Sequence, residues 1–213
     1  MDDTVGSRKF VKLTQREKDI LLGKILGDGT LEQNGRNVRL KIDQGGKQKD
    51  YVFWLYEQFK SFASFPYQVF FRDKRNGQLY EHWRFATYSL QIFNSWKEIF
   101  YLDRKKIIPA NIAEFLNPLS LAIWYMDDGF RRLDCKGLYL CTSGYSIEDQ
   151  HLLQKSLKEK YHIQSALHFA RKNARIYIFS SQVDYFCNII KPFILPIFYY
   201  KLFDPVTTEV PNI

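Results

Sequence analysis

The chain has 213 residues, enough for one generous core or two small ones, and its 31 Lys and Arg against 23 Asp and Glu give a net charge of +8. The basic residues are spread along the chain and 17% of residues are aromatic, a balance that suits a folded binder of nucleic acid. Three cysteines without a CxxC pair and four scattered histidines exclude a disulfide framework and a readable zinc signature.

Thr14 with Glu17 forms a capping box ahead of ILLGKILGDG, which predicts a helix from near Thr14 to the glycines around Asp28. VRLKIDQ (38–44) reads as a strand and 48–62 as an amphipathic helix. YQVFFRDKRNGQLYEHWRFAT then makes a hairpin turning at Asn76-Gly77. A helix over about 89–100 and a basic tail with a proline, DRKKIIP (103–109), follow.

From Asn117 the pattern begins again. Asn117 caps a helix with Pro118 at its first position, and this helix too ends in Asp-Gly, at Asp128-Gly129. A strand (138–143), a helix over 146–161 with Ser146 and Asp149 as cap signals, a hairpin turning around Lys172–Ala174, a helix over 182–191 and the tail LPIFYYK (195–201) repeat the order α-β-α-β-β-α. The join lies near Ile108–Pro118, and two similar halves predict a pseudo-twofold monomer. The apolar stretch 189–203 carries two prolines and two lysines and is too short to span a bilayer, and MDDTVGSRKF has neither the apolar core of a signal peptide nor the character of a transit peptide.

Two helices ending in Asp-Gly make Gly29 and Gly129 natural left-handed terminators. An acid at the negative end of a helix dipole is unfavourable unless a cation sits nearby, so something positive is expected between Asp28 and Asp128. Gly23 and Gly27 give the first helix a small face for close approach to the second. Packed in parallel, the two helices would present facing carboxylates, a good oxygen site for Mg²⁺ that leaves room for water and phosphate.

LLGKILGDG (21–29) and LAIWYMDDG (121–129) resemble the two copies of the motif that names the LAGLIDADG homing endonucleases. Repeat order, strand positions and basic tails extend the resemblance over nearly the whole chain, in the single-chain, two-motif branch. It implies an α+β fold, a pseudo-twofold pair of αβαββα-like halves (residues 1–110 and 111–213). Motif helices would lie at the centre and antiparallel saddle-shaped sheets on the DNA side. The eighth motif position supplies the metal-binding acid in this family, here Asp28 and Asp128. Lysines near the end of each half assist at the scissile phosphates, here Lys106 and Lys201, and a glutamine of the water network matches Gln44, with Ser143 as its second-half counterpart. The second copy departs from the first: Asp127 replaces Gly27 and Ile123 replaces Gly23, so the two sites are unequal and Asp127 is open as an added ligand.

The implied function is a Mg²⁺-dependent endonuclease, with Mn²⁺ as substitute, cutting double-stranded DNA at a long asymmetric site and encoded by a mobile intron. An intron RNA maturase or DNA-binding regulator on the same scaffold is the alternative. The implied compartment is an organelle matrix, mitochondrial or chloroplast, for an organellar gene, and otherwise the prokaryotic cytoplasm. Strand alternation places Arg39 and Lys41 on the wet side of the first strand, Arg72 and Lys74 on one hairpin arm and His82 and Arg84 on the other, with His168, Arg171, Arg175 and Tyr177 in the second half as DNA contacts. Two D-x-K patterns, Asp103-Arg104-Lys105 and Asp134-Cys135-Lys136, belong to a different nuclease chemistry and are expected by chance in a chain this charged.

Overall fold

The computed structural model describes residues 11–170 and 173–203 of the chain. The first half runs α1 (Gln15–Leu26), β1 (Thr30–Asn34), β2 (Asn37–Gly45), α2 (Lys49–Phe59), β3 (Tyr67–Arg72), β4 (Leu79–Ala86) and α3 (Gln91–Phe100). It closes on a small hairpin, β5 (Tyr101–Leu102) and β6 (Lys105–Lys106). A one-turn helix, α4 (Ile112–Phe115), leads to α5 (Pro118–Asp128), β7 (Gly129–Arg131), β8 (Leu138–Leu140), α6 (Ile147–Tyr161), β9 (Ser165–Ala170), β10 (Asn173–Ile178) and α7 (Val183–Ile190), with a 3₁₀ turn over Pro196–Lys201. Both four-stranded sheets are antiparallel and share one topology, β1-β2-β4-β3 and β7-β8-β10-β9. The α+β class and the internal duplication hold; each half's sheet carries one strand more than the expected αβαββα order, and the first half adds the β5–β6 hairpin.

The added strands, β1 and β7, leave little pattern to read. β1 buries only Leu31, and β7 has three residues. The link from β1 to β2 is a two-residue loop with Gly35 at φ 66°, the backbone that a tight hairpin requires at its first central position. Asn76-Gly77 turns β3 into β4 as expected, with Gly77 at φ 68°. Three helix starts are reciprocal capping boxes: Thr14 with Glu17, Asn117 with Ser120, and Ser146 with Asp149.

α1 and α5 pack side by side at the centre of a core that runs through both halves. Ile20 to Leu26 and Leu119 to Met126 are all buried, which explains why these stretches, apart from Lys24 and Ser120, are apolar on every face. Their approach is close: a Cβ on Gly23 would lie 2.5 Å from Ile123 Cβ and 2.6 Å from Ser120 O. One on Gly27 would lie 2.5 Å from Asp127 Cβ. Contacts pairing Gly23 with 120–123 and Gly27 with 127 make the helices parallel, so both finish at the same end. α2 and α3 cover the inner face of the first sheet and α6 that of the second. Among the described residues no helix is long and apolar enough to cross a membrane.

Gly29 and Gly129 do not terminate their helices in the left-handed conformation. Gly129 has φ −82° and ψ 149°, and the glycines at positive φ among the described residues are Gly35 and Gly77. Space is the requirement instead: a Cβ on Gly129 would overlap the ring and carbonyl of Tyr125, whose hydroxyl donates to Lys201 O at 2.7 Å. Gly129→Ala is therefore expected to cost about 1–3 kcal/mol by overpacking. Chemical denaturation measures this directly.

Candidate active site

The shared end of α1 and α5 gathers most of the expected chemistry. α1 stops at Leu26, leaving Asp28 exposed just beyond it, whereas α5 runs through Asp128, which is half-buried. Gln44 occupies the last buried position of β2, in line with Val38, Leu40 and Ile42, and its Nε2 donates to Asp28 Oδ2 at 3.1 Å. Lys106 projects from the β5–β6 hairpin, whose tight turn holds Asp103 and Arg104 at φ 46° and 71°.

The cation expected at the negative helix ends is supplied by the two lysines. Lys106 Nζ donates to Gly27 O at 2.5 Å, and Lys201 Nζ donates to Met126 O at 2.6 Å and to Asp127 O at 3.3 Å. Each lysine so caps the motif helix of its own half. Burial lowers both amines, Lys106 to about 8, against the pull of Asp128 and Asp127. Burial, then the neighbouring Asp28 and Asp127, push the Asp128 carboxyl up to about 7.

A small cleft of about 260 Å³ opens beside this end, lined by Gly27, Lys106, Asp128, Cys141, Ser143 and Tyr145 among others. The strand registers correct one expectation. Gly129 pairs with Leu140 as Gly29 extends toward Ile42, so Gln44 corresponds to Thr142 and not to Ser143. Thr142 is buried and donates to Gln150 Oε1 at 2.7 Å, so among the described residues Asp128 has no amide partner like that of Asp28.

Asp127 has both of its oxygens already engaged within the protein. Oδ2 lies 2.6 Å from Lys24 Nζ and accepts from the Asp28 backbone N–H at 3.0 Å, while Oδ1 accepts from Tyr51 OH at 3.0 Å. Neither charged side chain has exposed surface. Burial raises the Asp127 carboxyl, opposed by Lys24, and raises the Tyr51 hydroxyl still more clearly. Lys24 and Tyr51 were missed in the sequence, although a lysine inside the run LLGKIL is a signal that the facing helix carries an acid.

Crowded carboxylates fit a divalent cation. Among the described residues no group of three or more His, Cys, Asp and Glu is placed to hold a metal, so the carboxylates this end could offer one are those of Asp28 and Asp128. That is a hard, oxygen-only set with open positions, suited to Mg²⁺ and unlike a closed zinc site.

The outward sheet faces differ between halves. In the first, Arg39 pairs with Glu32 at 2.6 Å, Lys41 is half-exposed, and Asp43 sits between Arg84 at 2.6 Å and His82 at 2.7 Å. Arg72 pairs with Leu79 in the register, so it lies on the face opposite His82 and Arg84 and donates to Gly77 O at 2.8 Å; Lys74 is exposed in the hairpin turn. In the second half the outward face is a run of rings. Phe130 stacks on Tyr139 at 5.1 Å, Tyr177 lies 5.2 Å from Tyr139, and His168 stacks on Tyr177 at 4.3 Å. Arg175 lies over Phe130 and Arg132 over Tyr139. Tyr177 is only 9% exposed, so it supports this surface from beneath and is not itself an open contact. Arg171 lies outside the described residues. The two D-x-K stretches do not form sites: Asp134 pairs with Arg132 at 2.5 Å and Lys136 with Asp184 at 2.6 Å, while Asp103 and Arg104 form the hairpin turn.

A family model described as the LAGLIDADG DNA endonuclease family matches residues 18–186. A cytochrome b mRNA maturase bI2 of Debaryomyces hansenii is 31% identical over 192 residues, covering 86% of this chain and 72% of that protein. A probable intron-encoded endonuclease 1 of Wickerhamomyces canadensis is 27% identical over 201 residues, covering 92% and 87%. The solved structure of the homing endonuclease I-WcaI bound to its DNA recognition sequence superposes with a TM-score of 0.87 at 26% identity, covering 94% of this chain and 92% of that one.

Proposed function

The chain belongs to the LAGLIDADG DNA endonuclease family, and from that premise we propose that it is a homing endonuclease of the intron-encoded type, hydrolysing both strands of a specific DNA site. The observation that carries this reading is the meeting of Asp28 and Asp128 at one end of the parallel motif helices, with the half-buried Lys106 and the buried Lys201 at the same end. One acid serves each strand, and one chain supplies both, so the protein works as a monomer.

Asp28 and Asp128 would hold Mg²⁺, with Mn²⁺ able to take its place. Such an ion supplies Lewis-acid charge at the phosphate and a more acidic bound water. Gln44, already donating to Asp28, orients a water on that side. Lys106 and Lys201 hold positive charge next to the acids, where negative charge develops on the phosphate. Backbone carbonyls fix both amines in advance, so little reorganisation is needed. The charged outer face of the first sheet and the ring-lined face of the second contact DNA, with basic side chains on phosphates and base edges.

The test is cleavage of a plasmid carrying the DNA that flanks the coding intron, joined as in an intronless allele. Linearisation with Mg²⁺ supports the reading; a protein that binds this site with Mg²⁺ present and leaves it uncut overturns it. Chelation by EDTA is expected to slow cleavage on the order of 10³-fold or more while leaving binding intact, with full recovery on adding Mg²⁺. A gel-shift run beside the cleavage assay separates the two effects.

The likeness to a protein named as a messenger RNA maturase supports a second reading, action on intron RNA by the same scaffold. Splicing stimulation that survives Asp28→Asn and Asp128→Asn would favour it.

A further inference from the structure

The two acids are carried differently. In α1, Gly27 N–H donates to Gly23 O at 3.0 Å and Gly29 N–H reaches back to Lys24 O at 2.7 Å, so the N–H of Asp28 between them is left without a helix carbonyl. Asp127 Oδ2, from the opposite half, accepts it at 3.0 Å. The carbonyl of the same peptide, Gly27 O, accepts from Lys106 at 2.5 Å. The peptide that bears Asp28 is therefore held at both ends by charged groups, one from each half. Asp127 in turn is fixed by Lys24 and by Tyr51, and it packs against Gly27 so closely that a Cβ there would lie 2.5 Å from Oδ2. Among the described residues no such arrangement is seen on the other side. The positions matching Asp127 and Lys24 are Gly27 and Trp124, and Asp128 is carried within α5 itself.

We propose that Asp127 is the positioning residue for Asp28: it sets the peptide from which the Asp28 carboxylate projects. Cleavage of one strand then depends on this cross-helix bond, and cleavage of the other does not. The inference rests on the nuclease reading above. Positional errors of about an ångström can cost on the order of 10²-fold in rate, so loss of the bond has a kinetic signature larger than any effect on binding.

The experiment compares wild type with two double variants by strand-specific rates on supercoiled plasmid, together with DNA affinity and circular dichroism. Lys24→Met with Asp127→Leu removes the charge pair and the acceptor at similar volume. It is expected to bind within about threefold of wild type and to accumulate nicked plasmid, one strand slowed on the order of 10²-fold. Lys24→Met with Asp127→Asn keeps an oxygen facing the Asp28 N–H and is expected to restore that strand to within about tenfold of wild type. Tyr51→Phe removes only the bond to Oδ1 and is expected to slow the same strand by about threefold, which gives a readout from a minimal change if the leucine variant does not fold. Equal rates for both strands in the leucine variant and in Tyr51→Phe overturn the proposal while leaving the nuclease reading intact. A wild-type chain that does not cut at all overturns both.

Discussion

Asp28→Asn and Asp128→Asn, singly or together, are expected to abolish double-strand cleavage while leaving the protein folded and bound to its DNA. Asparagine keeps the size of the side chain and, at position 28, an oxygen for the Gln44 amide. What it removes is the charge proposed to hold a divalent cation, and with it an expected several kcal/mol of transition-state stabilisation, on the order of 10³-fold or more in rate. Folding is not at risk, because the wild-type arrangement crowds like charges: Asp28 and Asp127 both act on Asp128. Asparagine at 128 relieves that repulsion, so in EDTA the variant should melt no lower than wild type. Binding should hold or tighten, since two negative charges leave a surface that faces phosphate. The measurements are single-turnover cleavage, a gel shift and a melting curve on the same preparations. Cleavage at the wild-type rate by the double asparagine variant would remove these acids from the mechanism.

Asp127→Ala should be the most damaging single substitution in the interface. It leaves the Lys24 ammonium with no exposed surface and without the carboxylate it pairs with, over the Tyr51 ring at 5.0 Å. Breaking a buried pair by removing one partner costs roughly 3–5 kcal/mol, whereas replacing both partners with apolar side chains of similar volume is near neutral or stabilising. Asp127→Ala is thus expected to lose that much in urea unfolding, and Lys24→Met with Asp127→Leu to recover most of it. A loss below about 1 kcal/mol for Asp127→Ala would mean that water reaches the pair, against the packing seen here.

Much of this site could be read before the structure because its parts are local. Capping boxes at Thr14, Asn117 and Ser146 announce helix starts, and two Asp-Gly endings 100 residues apart announce the repeat. What stayed hidden depends on register or on contacts between distant segments. β1 and β7 bury too few residues to show a period of two. The match of Gln44 with Thr142 needs the pairing of β7 with β8, and the separation of Arg72 from His82 and Arg84 needs that of β3 with β4. The glycines after each motif were legible as glycines but not for their reason, since crowding by Tyr125 and Lys24 follows from packing and not from a turn type. Asp127 stood out in the sequence as an acid without a twin, and Lys24 as a charge inside an apolar run; only the facing of α1 and α5 joins them.

That single ion pair also decides which halves can associate. Two first halves placed together would bring Lys24 of each against a glycine, two ammonium groups with no acid to meet; two second halves would press Asp127 against Asp127. Both symmetric assemblies bury unpaired charge, and only the mixed one does not. The contact is thus a code for hetero-pairing written once in each half, which disfavours like-with-like association of halves. A chimaera that borrows a foreign second half must bring an acid to this position or give up Lys24 as well.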